Sequence, residues 1–146
     1  MKKISLGIAA DHAGFKFKEN LVIELVKQGY EIKDYGTYSD ESTDYPDYAH
    51  PLAKAVNEGI HKFGITLCGS GNGINMTANK YQGVRAALCW NKEISELARL
   101  HNDANVCSIP ARFVDFDLAL EIINVFLITK FEGGRHLRRI EKIPVN

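Results

Sequence analysis

Apolar residues along this chain follow two patterns that alternate from end to end. Short apolar runs at residues 4–10, 63–68, 84–89 and 105–109 read as buried strands, residues 30–35 supply a further one, and Pro110 stops the last. Between them apolar positions recur with helical spacing. Leu21, Val22, Leu25 and Val26 share one face of a helix that ends at Gly29. A polar loop over 36–44 leads through Tyr45-Pro46-Asp47-Tyr48 into a helix carrying Ala53, Val56 and Ile60. Residues 74–80 open a third helix, and 92–103 form a fourth with Ile94, Leu97 and Ala98 inward. Strands alternating with helices predict an α/β fold, a Rossmann-like three-layer sandwich around a five-stranded parallel sheet, with expected order 2-1-3-4-5.

The helix expected over 117–130 departs from this scheme. Its apolar residues, among them Leu118, Leu120, Ile122, Ile123, Val125, Phe126 and Ile128, surround the axis. Such a helix needs cover on more than one side. A partner subunit would supply it; a deeply buried core helix is the alternative. With no linker, repeat or low-complexity stretch, residues 1–146 read as a single domain.

Composition narrows the function classes. Lysine plus arginine equals aspartate plus glutamate at 18 each, which gives no argument for a nucleic-acid or membrane partner. No segment is long enough to span a bilayer. Cys68, Cys89 and Cys107 form neither a CxxC pair nor a disulfide framework, which points to a reducing cytoplasm. The apolar start at 4–10 is broken at once by Asp11-His12, unlike a signal peptide.

Candidate chemistry centres on Cys68-Gly69-Ser70-Gly71-Asn72-Gly73, at the end of the third strand. Glycines there let the backbone turn tightly with its N–H groups bunched, ahead of a helix. A thiol in that place meets a positive dipole end that favours thiolate and bound anions. A dinucleotide fingerprint would need glycine at position 74, which is Ile74, and a Walker loop would need Gly-Lys-Ser/Thr. An inert buried cysteine in a tight turn is the bland reading. In doubly wound sheets ligands bind beyond the carboxyl ends of strands where the order reverses, so Asp11 and His12 would share a crevice with Cys68. His101 falls on the inward face of its helix, as a core histidine or a catalyst. Arg135 and Arg139, one helical turn apart, are a solvated basic face or a phosphate clamp that Arg112 could join. Tyr45 is a lid residue or a packing group at a helix start. His50 and His61 have no argued role.

Ala10-Asp11-His12-Ala13-Gly14, Asp44-Tyr45-Pro46-Asp47-Tyr48-Ala49, the Cys68 loop, His101-Asn102-Asp103-Ala104-Asn105 and Phe131-Glu132-Gly133-Gly134-Arg135-His136 resemble the ribose-5-phosphate isomerases of type B. The wider group includes the galactose-6-phosphate isomerase subunits. The resemblance covers essentially the whole chain. It implies a cofactor-free homodimer interconverting D-ribose 5-phosphate and D-ribulose 5-phosphate through an enediolate in the pentose phosphate pathway, with no metal; pairing of such dimers into a tetramer is left open.

By the same resemblance Cys68 is the base, and Ser70 with the amides of Gly71, Asn72, Gly73 and Ile74 holds the oxyanion beside Gly69. Asp11 orients sugar hydroxyls, and His101 assists ring opening with Asn102 beside it. His12, Arg135 and Arg139 bind phosphate with support from Arg112, and residues 131–146 complete that site. His101, Asn102 and Arg112 are implied to come from a second subunit. Members that lack the cysteine carry a glutamate immediately after the loop's last glycine. Ile74 stands there here, which places the chain with the cysteine branch. Two alternatives stay open: an isomerase of allose or galactose 6-phosphate, and a non-catalytic sugar-phosphate binding protein.

Overall fold

The runs expected as strands pair side by side in one sheet. In the computed structural model, which describes residues 2–145, these are β1 (Ser5–Ala10), β2 (Glu31–Asp34), β3 (Phe63–Cys68), β4 (Ala86–Leu88) and β5 (Val106–Pro110), all parallel. The helices are α1 (Phe15–Lys27), α2 (Tyr45–Asn57), α3 (Asn72–Ala78), α4 (Lys92–Asn102), α5 (Phe116–Ile128) and α6 (Arg135–Ile140).

Strand order is 2-1-3-5-4, which corrects the expected 2-1-3-4-5 at its last two strands. Burial explains the exchange. All five residues of β5 are buried, whereas β4 has three residues, each only half-buried. A strand with two apolar faces belongs inside a parallel sheet, and a short one belongs at its edge. The free edge of β4 is blocked by Asn79, whose Nδ2 donates to the Ala86 carbonyl (2.9 Å) while its Oδ1 accepts from the Ala86 N–H (2.8 Å).

Side-chain alternation along the strands separates two layers of core. Leu6, Ile8, Ala10, Ile65, Leu67, Cys107 and Ile109 face α1, α4 and α5, whereas Ala9 and Val106 face α2 and α3. The Phe17 and Phe116 rings meet edge-on at 5.7 Å, joining α1 to α5, and Ser95 Oγ donates to the Ile122 carbonyl (2.9 Å), joining α4 to α5. This arrangement covers the inward side of α5 within the chain. Ala119, Ile122, Ile123, Phe126 and Leu127 are buried, and Leu118, Leu120 and Val125 are half-buried. Ile128, at its end, is exposed, so the chain by itself buries one side of the apolar circumference and leaves the other partly open.

Candidate active site

The corrected strand order sets the place of the site. The chain leaves β1 for α1 on one face of the sheet, leaves β3 for α3 on the other, and leaves β5 for α5 on the first face. The carboxyl end of β3 is thus flanked by diverging connections on both sides, where a crevice must open. A cavity of about 490 Å³ lies there, lined by Asp11, Tyr45, Cys68, Gly69, Ser70, Gly73, Arg112 and Phe113.

Cys68 closes β3 with its side chain among Ala49 and Ile74. Pairing with β5 continues past the strand ends, because the Ala111 N–H donates to the Cys68 carbonyl (2.9 Å) and the Arg112 N–H to the Gly69 carbonyl (3.0 Å). Beyond them Gly71 takes φ +76°, a left-handed conformation that glycine adopts at no steric cost. The Asn72 N–H donates to Ser70 Oγ (3.2 Å). Gly73 and Ile74 begin α3, so their amides have no intrahelical carbonyl to reach. The Ile74 side chain is fully buried, and what it offers the cavity rim is its backbone N–H. A buried polar chain fastens α3 to the sheet. Ser108 Oγ donates to Asn75 Oδ1 (2.9 Å), which leaves Thr66 Oγ1 as the donor to Ser108 Oγ (2.8 Å).

Asp11 Oδ1 accepts from the amides of Ala13 (2.9 Å) and Gly14 (3.3 Å), so its buried carboxylate is held at the end of β1. His12 Nδ1 accepts from the Thr43 N–H (3.1 Å). That bond places the proton of the neutral ring on Nε2, as a donor. It also ties the 36–44 loop to the crevice. Tyr45, at the start of α2, reaches over Gly73.

His101, Asn102, Arg135 and Arg139 are not brought to this crevice. α4 runs antiparallel to the strands from the carboxyl end of β4, so its last residues lie at the amino edge of the sheet, just before β5. An eleven-residue helix spans about 16 Å, so this edge is far from Cys68 of the same chain. α6 packs there too. The His101 and His136 rings stack at 4.3 Å and 14°, and the Glu132 N–H donates to the Leu100 carbonyl (3.1 Å). Arg112, which the resemblance implied to reach the site from a second subunit, has its guanidinium over Gly69 of its own chain and lines the same cavity as its own Cys68. The adjacency of β5 to β3 is the reason.

Sequence reasoning missed Phe113, and it missed that His101, which it had singled out, groups with Glu132 and His136. Phe113 is 76% exposed at the cavity rim, and nothing in its sequence context distinguishes it from a core phenylalanine. Glu132 and His136 are four residues apart, which was legible, but stacking on His101 was not. Burial first, then His101 and Arg135, pushes the His136 imidazole below its ordinary value, with Glu132 opposing. The trio is not arranged as a cation site. Nearly parallel stacked rings cannot aim their in-plane lone pairs at one ion.

A sequence model of the family described as Ribose/Galactose Isomerase matches residues 6–143. The chain is 46% identical over 143 residues to ribose-5-phosphate isomerase B of Escherichia coli (strain K12), covering 98% of this chain and 95% of that one. It is similar to the crystal structure of a ribose 5-phosphate isomerase of type B from Thermotoga maritima, with TM-score 0.95, 46% identity and coverage of 98% and 99%. It is likewise similar to ribose-5-phosphate isomerase B from Mycoplasma genitalium with bound ribulose-5-phosphate, with TM-score 0.93, 39% identity and coverage of 98% and 95%.

Proposed function

The chain belongs to the ribose/galactose isomerase family, and from that premise we propose that it interconverts D-ribose 5-phosphate and D-ribulose 5-phosphate with Cys68 as the base. The observation that carries the reading is one cavity holding Cys68, the Ser70 hydroxyl, the first-turn amides of α3, Asp11 and Arg112. Isomerisation moves a proton and no net electrons, so it calls for a base and for donors aimed at the developing oxyanion. The Cys68 thiolate takes the C2 proton of the open-chain aldose, which leaves the negative charge on O1. The resulting enediolate has its charge held by the Ser70 hydroxyl and the amides of Gly73 and Ile74. The O2–H proton then passes to O1, the thiol returns its proton to C1, and C2 becomes the ketone. Asp11 orients sugar hydroxyls, while His12, through its Nε2–H, and Arg112 meet the negative charge of the substrate.

Those groups form half a site. His101, Asn102, Arg135 and Arg139 stand at the opposite sheet edge, and a second copy of the chain would present them to this cavity as two-fold pairing makes each site from both subunits. His101 of one copy then assists ring opening above Cys68 of the other, and Arg135 and Arg139 grip the phosphate. Three free thiols fit a reducing compartment.

The test is Cys68→Ala. Turnover should fall by about 10²–10⁴-fold, the usual cost of removing a general base, with calorimetric binding of the sugar phosphate retained. Near wild-type turnover would sink the assignment.

A further inference from the structure

We propose that Glu132 is a positioning residue for His101, keeping the proton used in furanose opening on His101 rather than on His136; this rests on the ring-opening role given to His101 above. Glu132 Oε2 lies 3.9 Å from His101 Nε2, and Glu132 Oε1 lies 3.9 Å from His136 Nε2. Both nitrogens therefore face one carboxylate, at a distance too long for a hydrogen bond but short enough to favour the charged ring. The loop that carries Glu132 is itself held to the end of α4 through the Leu100 carbonyl.

The two rings cannot share the load equally. Stacked at 4.3 Å, two imidazolium ions would repel, so the pair holds one proton at a time. His136 is 5% exposed, and its Nε2 has no partner. Arg135 and Arg139 on its own helix disfavour a further positive charge. The His101 side chain is 40% exposed, so water solvates its charged form. Near the end of α4 the neighbouring charges are engaged with one another. Arg99 Nη1 donates to Asp103 Oδ1 (2.8 Å) and to the Ala104 carbonyl (2.6 Å), and Arg85 Nη2 pairs with Asp103 Oδ2 (3.5 Å). Glu132 is left as the carboxylate facing both rings, and the proton it retains settles on His101.

Ring opening uses that proton. Protonated His101 gives it to O4 as the C1–O4 bond breaks, the O1–H proton passes to solvent, and solvent reprotonates the imidazole. No net proton or electron is consumed.

The experiment separates ring opening from proton transfer at carbon. D-Ribulose 5-phosphate cannot close to a furanose because its O5 carries the phosphate. Exchange of its C1 hydrogen with deuterated solvent therefore reports the Cys68 step alone. Glu132→Gln should slow isomerisation of D-ribose 5-phosphate about tenfold while sparing that exchange. It should also move the alkaline limb of the rate profile to lower pH by about one unit. Glu132→Asp should restore part of both. If His101→Asn slows isomerisation and spares exchange but Glu132→Gln leaves the alkaline limb in place, the role of Glu132 is overturned and that of His101 stands. Equal loss of both rates in Glu132→Gln would mean structural damage and would also overturn it. If His101→Asn leaves the ratio of isomerisation to exchange unchanged, the ring-opening assignment itself falls.

Discussion

The phenol end of Tyr45 occupies the space that a side chain on Gly73 would need: a Cβ there would fall 2.4 Å from Tyr45 Cζ. Two motifs distant in sequence thus meet through the absence of one carbon atom. The contact fixes the start of α2 against the start of α3, with the cavity between them.

Gly73→Ala should therefore displace Tyr45, destabilise the fold by about 1–3 kcal/mol and lower kcat/KM by about 10²-fold. Urea denaturation and steady-state kinetics measure the two effects. In a Tyr45→Ala background the clash is gone, so the added cost in stability of Gly73→Ala should shrink. An undiminished cost would mean that the glycine is needed for a reason other than Tyr45.

The division of the site between subunits predicts a pattern of complementation. In a mixed dimer of Cys68→Ala and His101→Ala chains, one site carries both substitutions and the other carries neither, so activity should reappear on mixing. Arg112 lines the cavity of its own Cys68, so Cys68→Ala mixed with Arg112→Ala should stay inactive. Differently tagged chains establish that heterodimers form. Inactive heterodimers in the first mixture would place His101 in its own chain's site, and recovery in the second would return Arg112 to the partner.

His61 ties the amino edge of the sheet together, with Nδ1 2.7 Å from Ser5 Oγ and Nε2 2.6 Å from Tyr35 Oη. Burial, then the charge of Lys33, lowers its affinity for a proton, with Glu31 opposing. The unfolded chain therefore binds this proton more readily, with a value of about 6.5. Stability from His61 is complete above about pH 6.5 and declines as the pH falls from there through the lowered folded value. His136 shifts in the same direction, burial again leading. The urea midpoint should drop between about pH 7.5 and about pH 5.5, and His61→Gln should flatten that drop. An unchanged slope in His61→Gln would place the loss elsewhere.

What the chain announces by itself is local. The Cys68 loop, Asp11-His12 at the end of β1 and Tyr45 at the start of α2 were legible because strand runs, turn glycines and helix starts are written over a few neighbouring residues. The alternation of strand and helix likewise implied a parallel sheet and a crevice at the end of β3. Only tertiary structure decided that β5 lies inside and β4 at the edge, because that choice compares the burial of two strands against the rest of the molecule. From it follows the position of Arg112 beside Gly69. The same holds for α5, whose inward apolar residues are covered by α1, α4 and the sheet, and for the stacking of His101 on His136. Periodicity records which face of an element is apolar. What covers that face is settled by packing among residues far apart in the chain.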